Sequence, residues 1–213
     1  MIKVALIGSG TLAQHIAHYL KQSATFKPVG FFDDYQETGS CTAYGPILGP
    51  ISMVAENFAL GTFDQLLIGI GYNHLQFRDE LFDRFSHKVP FATFIHETCY
   101  VDRTASVGPG TVLLPGCILD MHTTVAGNCF FNVACKVAHD SKIGASCFFG
   151  PGVNIAGFVQ VGSRAFLGIG TTLINNITIT SGIVTGGNST ITKSLDTPGL
   201  YVGTPASLVK IFQ

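Results

Sequence analysis

The chain has 213 residues, 46% of them hydrophobic, with 12 basic and 13 acidic side chains for a net charge of -1. That balance suits a packed globular protein of one large or two small domains and excludes disorder as the main state. The basic residues are scattered and form no run, which argues against a nucleic-acid backbone as partner.

In chain order, a single lysine and a short apolar run at the N-terminus imitate a signal peptide. Gly8 and Gly10 break that run early and predict a first strand and turn, which leaves a cytoplasmic protein. Residues 1–96 then alternate between strand and helix. Val4 to Ile7 predicts a strand, Thr11 to Gln22 a helix, Val29 to Phe32 a second strand, Gln65 to Ile70 a third, and Asn73 to Ser86 another helix. Such alternation favours a parallel sheet with right-handed crossovers, an α/β domain over residues 1–96. Gly8-Ser9-Gly10-Thr11-Leu12-Ala13 lies between the first strand and helix, with Asp33 and Asp34 about 23 residues beyond Gly10. This fits a dinucleotide fingerprint, in which glycines admit the phosphates and an acid meets the ribose. Ninety-six residues supply little more than one mononucleotide-binding half, so NAD has no place for its nicotinamide. A nucleotide attached to something else fits better.

From Tyr100 a six-residue period takes over and runs without insertion through sixteen hexads, with Val, Leu, Ile or Phe at the second position of fifteen and Thr185 as the exception. Neither a helical period of 3.6 nor a strand period of 2 produces this pattern. A solenoid with three short faces per coil does, with 18 residues per turn and about five coils. The uncharged stretches 143–163 and 165–192 are long enough to span a bilayer. Their regularly spaced Gly, Asn, Ser and Thr point instead to buried β structure. Cys117, Cys129, Cys135 and Cys147 all occupy the sixth position and are expected to be small buried side chains without chemistry of their own. No metal-type cysteine spacing occurs.

Residues 18 apart stack in such a coil. Gly157 therefore stands over His139 and leaves open space where another residue would place a side chain. Ile169 and Gly187 form a second column, 12 residues out of phase with Gly157. A ligand touching both columns must lie between faces, most simply between two subunits of a symmetric ring. Asp140 can hold the His139 imidazole in one tautomer and stabilise its charged form, while His122, 18 residues below Asp140, competes for the same carboxylate. His139 reads either as a surface or capped histidine or as an acid–base residue. His15, His18, His74, His87 and His96 lie outside the repeat and read as structural or solvated.

Several signatures match one family over nearly the full chain: Gly8-Ser9-Gly10, Phe31-Phe32-Asp33-Asp34, Ile70-Gly71-Tyr72-Asn73, Phe94-Ile95-His96, Val137 to Gly144, Phe166 to Ile169, and Val202 to Ala206. Together they resemble the NeuD/PglD-type sugar acetyltransferases of bacterial glycan pathways. The resemblance implies a Rossmann-like nucleotide-sugar half-domain over 1–96, then a left-handed parallel β-helix with a closing strand over 97–213. It also implies a homotrimer with active sites between subunits, acetyl-CoA as co-substrate and no metal. By the same resemblance His139 is the general base, Asp140 its partner, and the Gly157 N–H meets the acetyl carbonyl. Ile169 and Gly187 line the coenzyme A groove, while Gly8, Gly10, Asp33, Asp34 and Gly71 border the nucleotide-sugar.

The chain departs from that pattern in three places. Thr11-Leu12-Ala13 replaces a frequent Gly-His-Gly, Tyr35 replaces a lysine after the acid pair, and Phe148 stands where many relatives place a second histidine. The expected function is acetyl-CoA-dependent N-acetylation of a nucleotide-linked aminodeoxysugar for bacterial surface glycan biosynthesis. O-acetylation of a sialic-acid-like sugar makes the same demand on His139 and stays open; a non-catalytic β-helix scaffold is the more distant alternative. An oxidoreductase would need a second half-domain. A metal-dependent hydratase would need about three histidines, and the repeat has only His122 and His139.

Overall fold

The computed structural model describes residues 1–212, and the chain divides into two compact units between Phe94 and Ile95. In the first unit β1 (Ile2–Ile7), β2 (Phe26–Phe32), β4 (Gly45–Gly49) and β5 (Gln65–Ile68) run parallel, and β3 (Cys41–Thr42) pairs antiparallel with β4, in the order β3-β4-β2-β1-β5. Helix α1 (Thr11–Gln22) forms because Ala13, Ile16, Ala17 and Leu20 recur at helical spacing and are all buried. Its close approach to the sheet needs Gly69, where a Cβ would overlap that of Ala13. From β1 the chain crosses to β2 on one side and later to β5 on the other, so the order reverses at β1 and opens a crevice at the carboxyl ends of these strands.

Four elements differ from their sequence-based bounds. Strands β1 and β2 begin two and three residues early, at Ile2 and Phe26, because the parallel ladder pairs Ile2 with Phe26 and Lys3 with Lys27. The strand expected to reach Ile70 ends at Ile68, because the carbonyls of Ile68 and Ile70 accept hydrogen bonds from the buried Arg78 guanidinium at 2.6 and 3.1 Å. Helix α3 (Leu75–Ser86) starts two residues late, after a 3-10 turn at Tyr72–His74. Strands β3 and β4 and helix α2 (Val54–Ala59) lie in a stretch with no periodic signal.

The second unit is a parallel β-helix. A two-residue strand occupies the first two positions of every hexad from Tyr100–Val101 to Thr190–Ile191, and the register extends one rung upstream to Phe94–Ile95. Strands pair with the coil above at an offset of 18, as in Ile118 with Lys136, and form three parallel sheets. The first contains Tyr100–Val101, the second Ser106–Val107 and the third Val112–Leu113; an antiparallel hairpin of Gly199–Gly203 and Ala206–Ile211 extends the third. No helix among the described residues is long and apolar enough to cross a membrane.

The hydrogen-bond pattern explains what each hexad position tolerates. A first-position N–H donates to a sixth-position carbonyl one coil on, as Ser106 to Thr123 at 2.9 Å, and a third-position N–H to a second-position carbonyl, as Gly108 to Val125 at 2.8 Å. A fifth-position N–H donates back to a fourth-position carbonyl, as Asp140 to Met121 at 3.0 Å. The fourth-position N–H is outside this ladder, which is why Pro109, Pro115 and Pro151 fit there. At the fifth position φ lies between 55 and 77° in all fourteen turns from Gly110 to Asn188. For a non-glycine residue that conformation costs about 1–2 kcal/mol.

Second-position side chains fill the core, together with the sixth-position cysteines. The cysteines are buried as expected, but they also donate. The thiols of Cys117, Cys129, Cys135 and Cys147 reach the carbonyls of Asn132, Gly144, Gly150 and Gly162 at 3.1–3.2 Å. Thr111 and Ser141 use hydroxyls on the corresponding carbonyls of Ala126 and Ala156 at 3.1 and 3.0 Å. These six third-position carbonyls receive no backbone N–H, and the thiol or hydroxyl of the sixth-position residue supplies the donor there, whereas Val153, Val159, Ile177 and Ile183 fill the same position with apolar bulk alone. Thr185, the exception at the second position, is satisfied inside the core: its hydroxyl accepts the Gly168 N–H at 3.0 Å and pairs with the Thr171 hydroxyl at 2.7 Å.

All six cysteines are free, and only Cys41 is exposed. A hydrogen bond to Cys135, with burial, pushes the Cys117 thiol up to about 12, a hydrogen bond to Cys117 and burial raise Cys99, and burial raises Cys147 first of all. Because these folded-state values lie above the ordinary 9.0, the stability they contribute is fully present below pH 9.0 and is lost as pH rises toward about 12. Denaturant titrations should show unfolding free energy falling across that window. Alkylation of the native protein should modify Cys41 rapidly and the sixth-position cysteines only after unfolding; equal labelling of all six in the native state would contradict this packing.

Candidate active site

His139 occupies the fourth position of its hexad, at the corner between the first and second sheets, two residues beyond strand Lys136–Val137. Asp140 follows in the left-handed turn with φ 58°. Its Oδ2 lies 2.9 Å from His139 Nδ1, with the His139 and Asp140 side chains 43% and 32% exposed. Asp140 therefore pairs with His139, and His122 makes no ion pair with it. Nε2 of His139 has no hydrogen-bond partner among the described residues. An imidazole anchored by a carboxylate at Nδ1 presents its other nitrogen as a proton acceptor.

Gly157 stacks against this ring as the column arithmetic predicts, but the space it leaves is not open. A Cβ there would stand 2.8 Å from His139 Cε1 and 2.9 Å from Nε2, so the imidazole itself fills the room that glycine provides. As a fourth-position residue, Gly157 keeps its N–H outside the ladder and donates to none of the described residues. A proton acceptor and a spare backbone donor thus meet at one corner, the pairing that acyl transfer requires. Phe158 was not expected here. Its ring stands edge-on to the imidazole at 5.1 Å and 90°, and no sequence period marked it.

Ile169 and Gly187 also form a column, with a Gly187 Cβ 3.1 Å from Ile169 Cγ2. They sit at the corner between the third and first sheets, again at fourth positions with N–H groups outside the ladder. The two columns are therefore separate corners that border one shared face. On that face Ile118, Asp120, Lys136, Asn154 and Thr172 line a shallow groove of about 320 Å³. Phe148 lies on the third sheet, buried in a stack with Phe130 and Phe166 at centroid distances of 4.7 and 5.9 Å.

In the first unit a cleft of about 250 Å³ opens at the strand ends, lined by Gly8, Asp33, Asp34, Ile70, His74 and Phe77 among others. Gly8 turns with φ 86°, and Gly10 begins α1 without a side-chain cap. A helix start of this kind can accept a phosphate. Space is open around Gly10 and Gly71, where a Cβ would meet nothing within 4 Å. The acids are more committed than expected. Asp33 accepts the Ser9 N–H and hydroxyl at 2.9 and 2.7 Å and the Tyr35 N–H at 2.9 Å, while Asp34 accepts the Ile51 N–H at 2.7 Å. Their first task is to hold the loops around the cleft. His74, read as structural or solvated, is exposed and also lines the cleft, and its place right after Gly71-Tyr72-Asn73 was the available signal. Among the described residues no group of three or more His, Cys, Asp or Glu could hold a metal.

No protein-family model matches the chain, and no curated protein matches its sequence. Solved structures do. PerB from Caulobacter crescentus, in complex with CoA and GDP-perosamine, is similar with a TM-score of 0.87 and 25% identity over 97% of each chain. A variant of the perosamine N-acetyltransferase from the same organism, with the same ligands, gives 0.88 at 25% identity over 97% of this chain and 96% of that one. The acetyltransferase domain of PglB from Neisseria gonorrhoeae FA1090, with acetyl coenzyme A, gives 0.88 at 22% identity over 97% of this chain and 98% of that one. The likeness to sugar acetyltransferases read from the sequence motifs is borne out by these structures.

Three substitutions test the geometry without reference to turnover. Gly157→Ala should keep the fold but drive the imidazole away from Asp140; a crystal structure of that variant with the 2.9 Å contact intact would contradict it. Asp33→Ala removes three hydrogen bonds to a carboxylate and should destabilise by about 2–3 kcal/mol, against about 1 for Asp34→Ala. Equal denaturation midpoints for the two variants would show that Asp33 does not hold the turn.

Proposed function

We propose that this chain transfers the acetyl group of acetyl-CoA to the amino group of a nucleotide-linked aminodeoxysugar. The observation that carries this reading is the corner at His139, where Nδ1 is 2.9 Å from the Asp140 carboxylate, Nε2 is unpaired, and the unpaired Gly157 N–H lies beside the ring. The similarity to an enzyme structure holding CoA and GDP-perosamine supplies the substrate class and favours an amine over a hydroxyl acceptor.

In this reaction the amine attacks the thioester carbonyl and a C–N bond forms. His139 Nε2 takes the proton the amine loses, and Asp140 stabilises the resulting imidazolium. The Gly157 N–H stabilises the oxyanion, which collapses with cleavage of the C–S bond, and coenzyme A leaves as the thiol after receiving the proton from His139. Ile169 and Gly187 offer an apolar wall and backbone donors for the coenzyme arm. The Rossmann-like half-domain holds the nucleotide, with a phosphate at the Gly10 helix start and the ribose or base in the cleft bordered by Gly8, Asp33, Asp34 and Gly71. The solenoid is left-handed, the active assembly is a trimer with sites between subunits, and the co-substrates place the reaction in the cytoplasm.

Thiol release from acetyl-CoA with a panel of nucleotide-aminosugars that includes GDP-perosamine tests the reading. His139→Ala should lower kcat by roughly 10²–10⁴ with the fold intact, and Asp140→Asn should cost less, since it disturbs orientation and leaves the base. Activity of His139→Ala within a few fold of wild type would remove the base assignment. Subunit sharing is tested by mixing two inactive variants, His139→Ala and Gly187→Trp. Co-assembled trimers should regain activity, because some boundaries then carry both native residues; no recovery after verified mixing would place both columns of one chain on one coenzyme.

A further inference from the structure

Phe158 is a large apolar residue in a place that rejects one. Of the fourteen left-handed turns, five carry Gly and the others carry His122, Asn128, Ala134, Asp140, Ser146, Phe158, Arg164, Asn176 and Asn188. Phe158 is the one large apolar side chain among them, with φ 59°. Local hydrogen bonding, which lets Asn and Asp tolerate this conformation, is closed to a phenyl ring. Core burial does not compensate, because Phe158 remains 53% exposed. A strained and exposed aromatic residue marks a position held for a task other than folding.

Its surroundings indicate the task. The ring adjoins the His139 imidazole edge-on at 5.1 Å, directly after Gly157. Asp140 occupies the Nδ1 side of the imidazole. Phe158 forms an apolar wall against this imidazole, next to Gly157, where a Cβ would stand 2.9 Å from Nε2, and much of its own surface is left free for a ligand.

We propose that Phe158 is an acceptor-orienting residue: its ring packs against the C–H face of the aminosugar and directs the amine at His139 Nε2. This rests on the acetyl-transfer reading and adds a residue to which neither the motifs nor the column arithmetic gave a role. An aromatic wall suits a pyranose, which has apolar faces and polar edges, and it binds the acceptor without touching coenzyme A.

The test compares Phe158→Asn, Phe158→Leu and Phe158→Tyr with wild type, using GDP-perosamine or whichever nucleotide-aminosugar of the panel the wild type acetylates. Asn relieves the left-handed turn, so the melting temperature should stay within about 3 °C of wild type or rise. The acceptor KM should rise about 10–100-fold in Phe158→Asn, less in Phe158→Leu, and hardly in Phe158→Tyr. The KM for acetyl-CoA and the pH inflection of kcat/KM should not move. An unchanged acceptor KM would overturn the proposal. Equal rises in both KM values with a fallen melting temperature would show a structural residue, and a shifted pH inflection would show action through His139, so either result overturns it too. If the wild type acetylates no aminosugar, the acetyl-transfer reading fails first and this proposal falls with it.

Discussion

Everything in the second unit depends on the eighteen-residue hydrogen-bond ladder, which fixes each residue directly above the one a coil earlier. The ladder uses the N–H groups of the first, third and fifth hexad positions and omits the fourth. That omission has chemical consequences, because each corner keeps an outward backbone donor at the fourth position unless proline or a neighbouring side chain takes it. His139 and Gly157 are both fourth-position residues of one column. Stacking sets the imidazole against the glycine, and the ladder leaves that glycine's N–H available. An imidazole with an open Nε2 beside a spare backbone N–H therefore follows from ordinary coil geometry once a histidine and a glycine are placed 18 apart.

The same constraint explains the less obvious choices. Several third-position carbonyls receive no backbone donor, and there a thiol or hydroxyl from the sixth position provides one. The fifth position must turn left-handed, so Asp140 departs sharply from the strand direction and its carboxylate comes back to the neighbouring His139. In the first unit a different constraint governs: the reversal of strand order at β1 opens the crevice, and Asp33 ties Ser9 and Tyr35 across its rim. The two carboxylates near the cleft stabilise loops before they meet any ligand.

Sequence periodicity carried the solenoid almost completely, because a period of six leaves the strands, corners and columns no freedom. All sixteen rungs and helix α1 lie where the pattern puts them. What escaped was contact that no period encodes. The sixth-position cysteines look merely small until their carbonyl partners 15 residues on are visible. Asp33 fits a ribose ligand by spacing, and its bonds to Ser9 and Tyr35 appear only in three dimensions. Phe158 reads as one more hydrophobic residue unless its positive φ and its place beside His139 are seen together. The stretch that forms β3, β4 and α2 is short-range and aperiodic, so composition alone could not place it.

The most direct measurement is the fate of an isotopically labelled acetyl group, followed by mass spectrometry and NMR after incubation of labelled acetyl-CoA with nucleotide-aminosugars. The label should appear as an amide on the sugar nitrogen, one acetyl per nucleotide-sugar, with stoichiometric release of coenzyme A. Label found only as free acetate, or as an ester on a sugar that lacks an amine, would contradict acetyl transfer to an amine at the His139 corner.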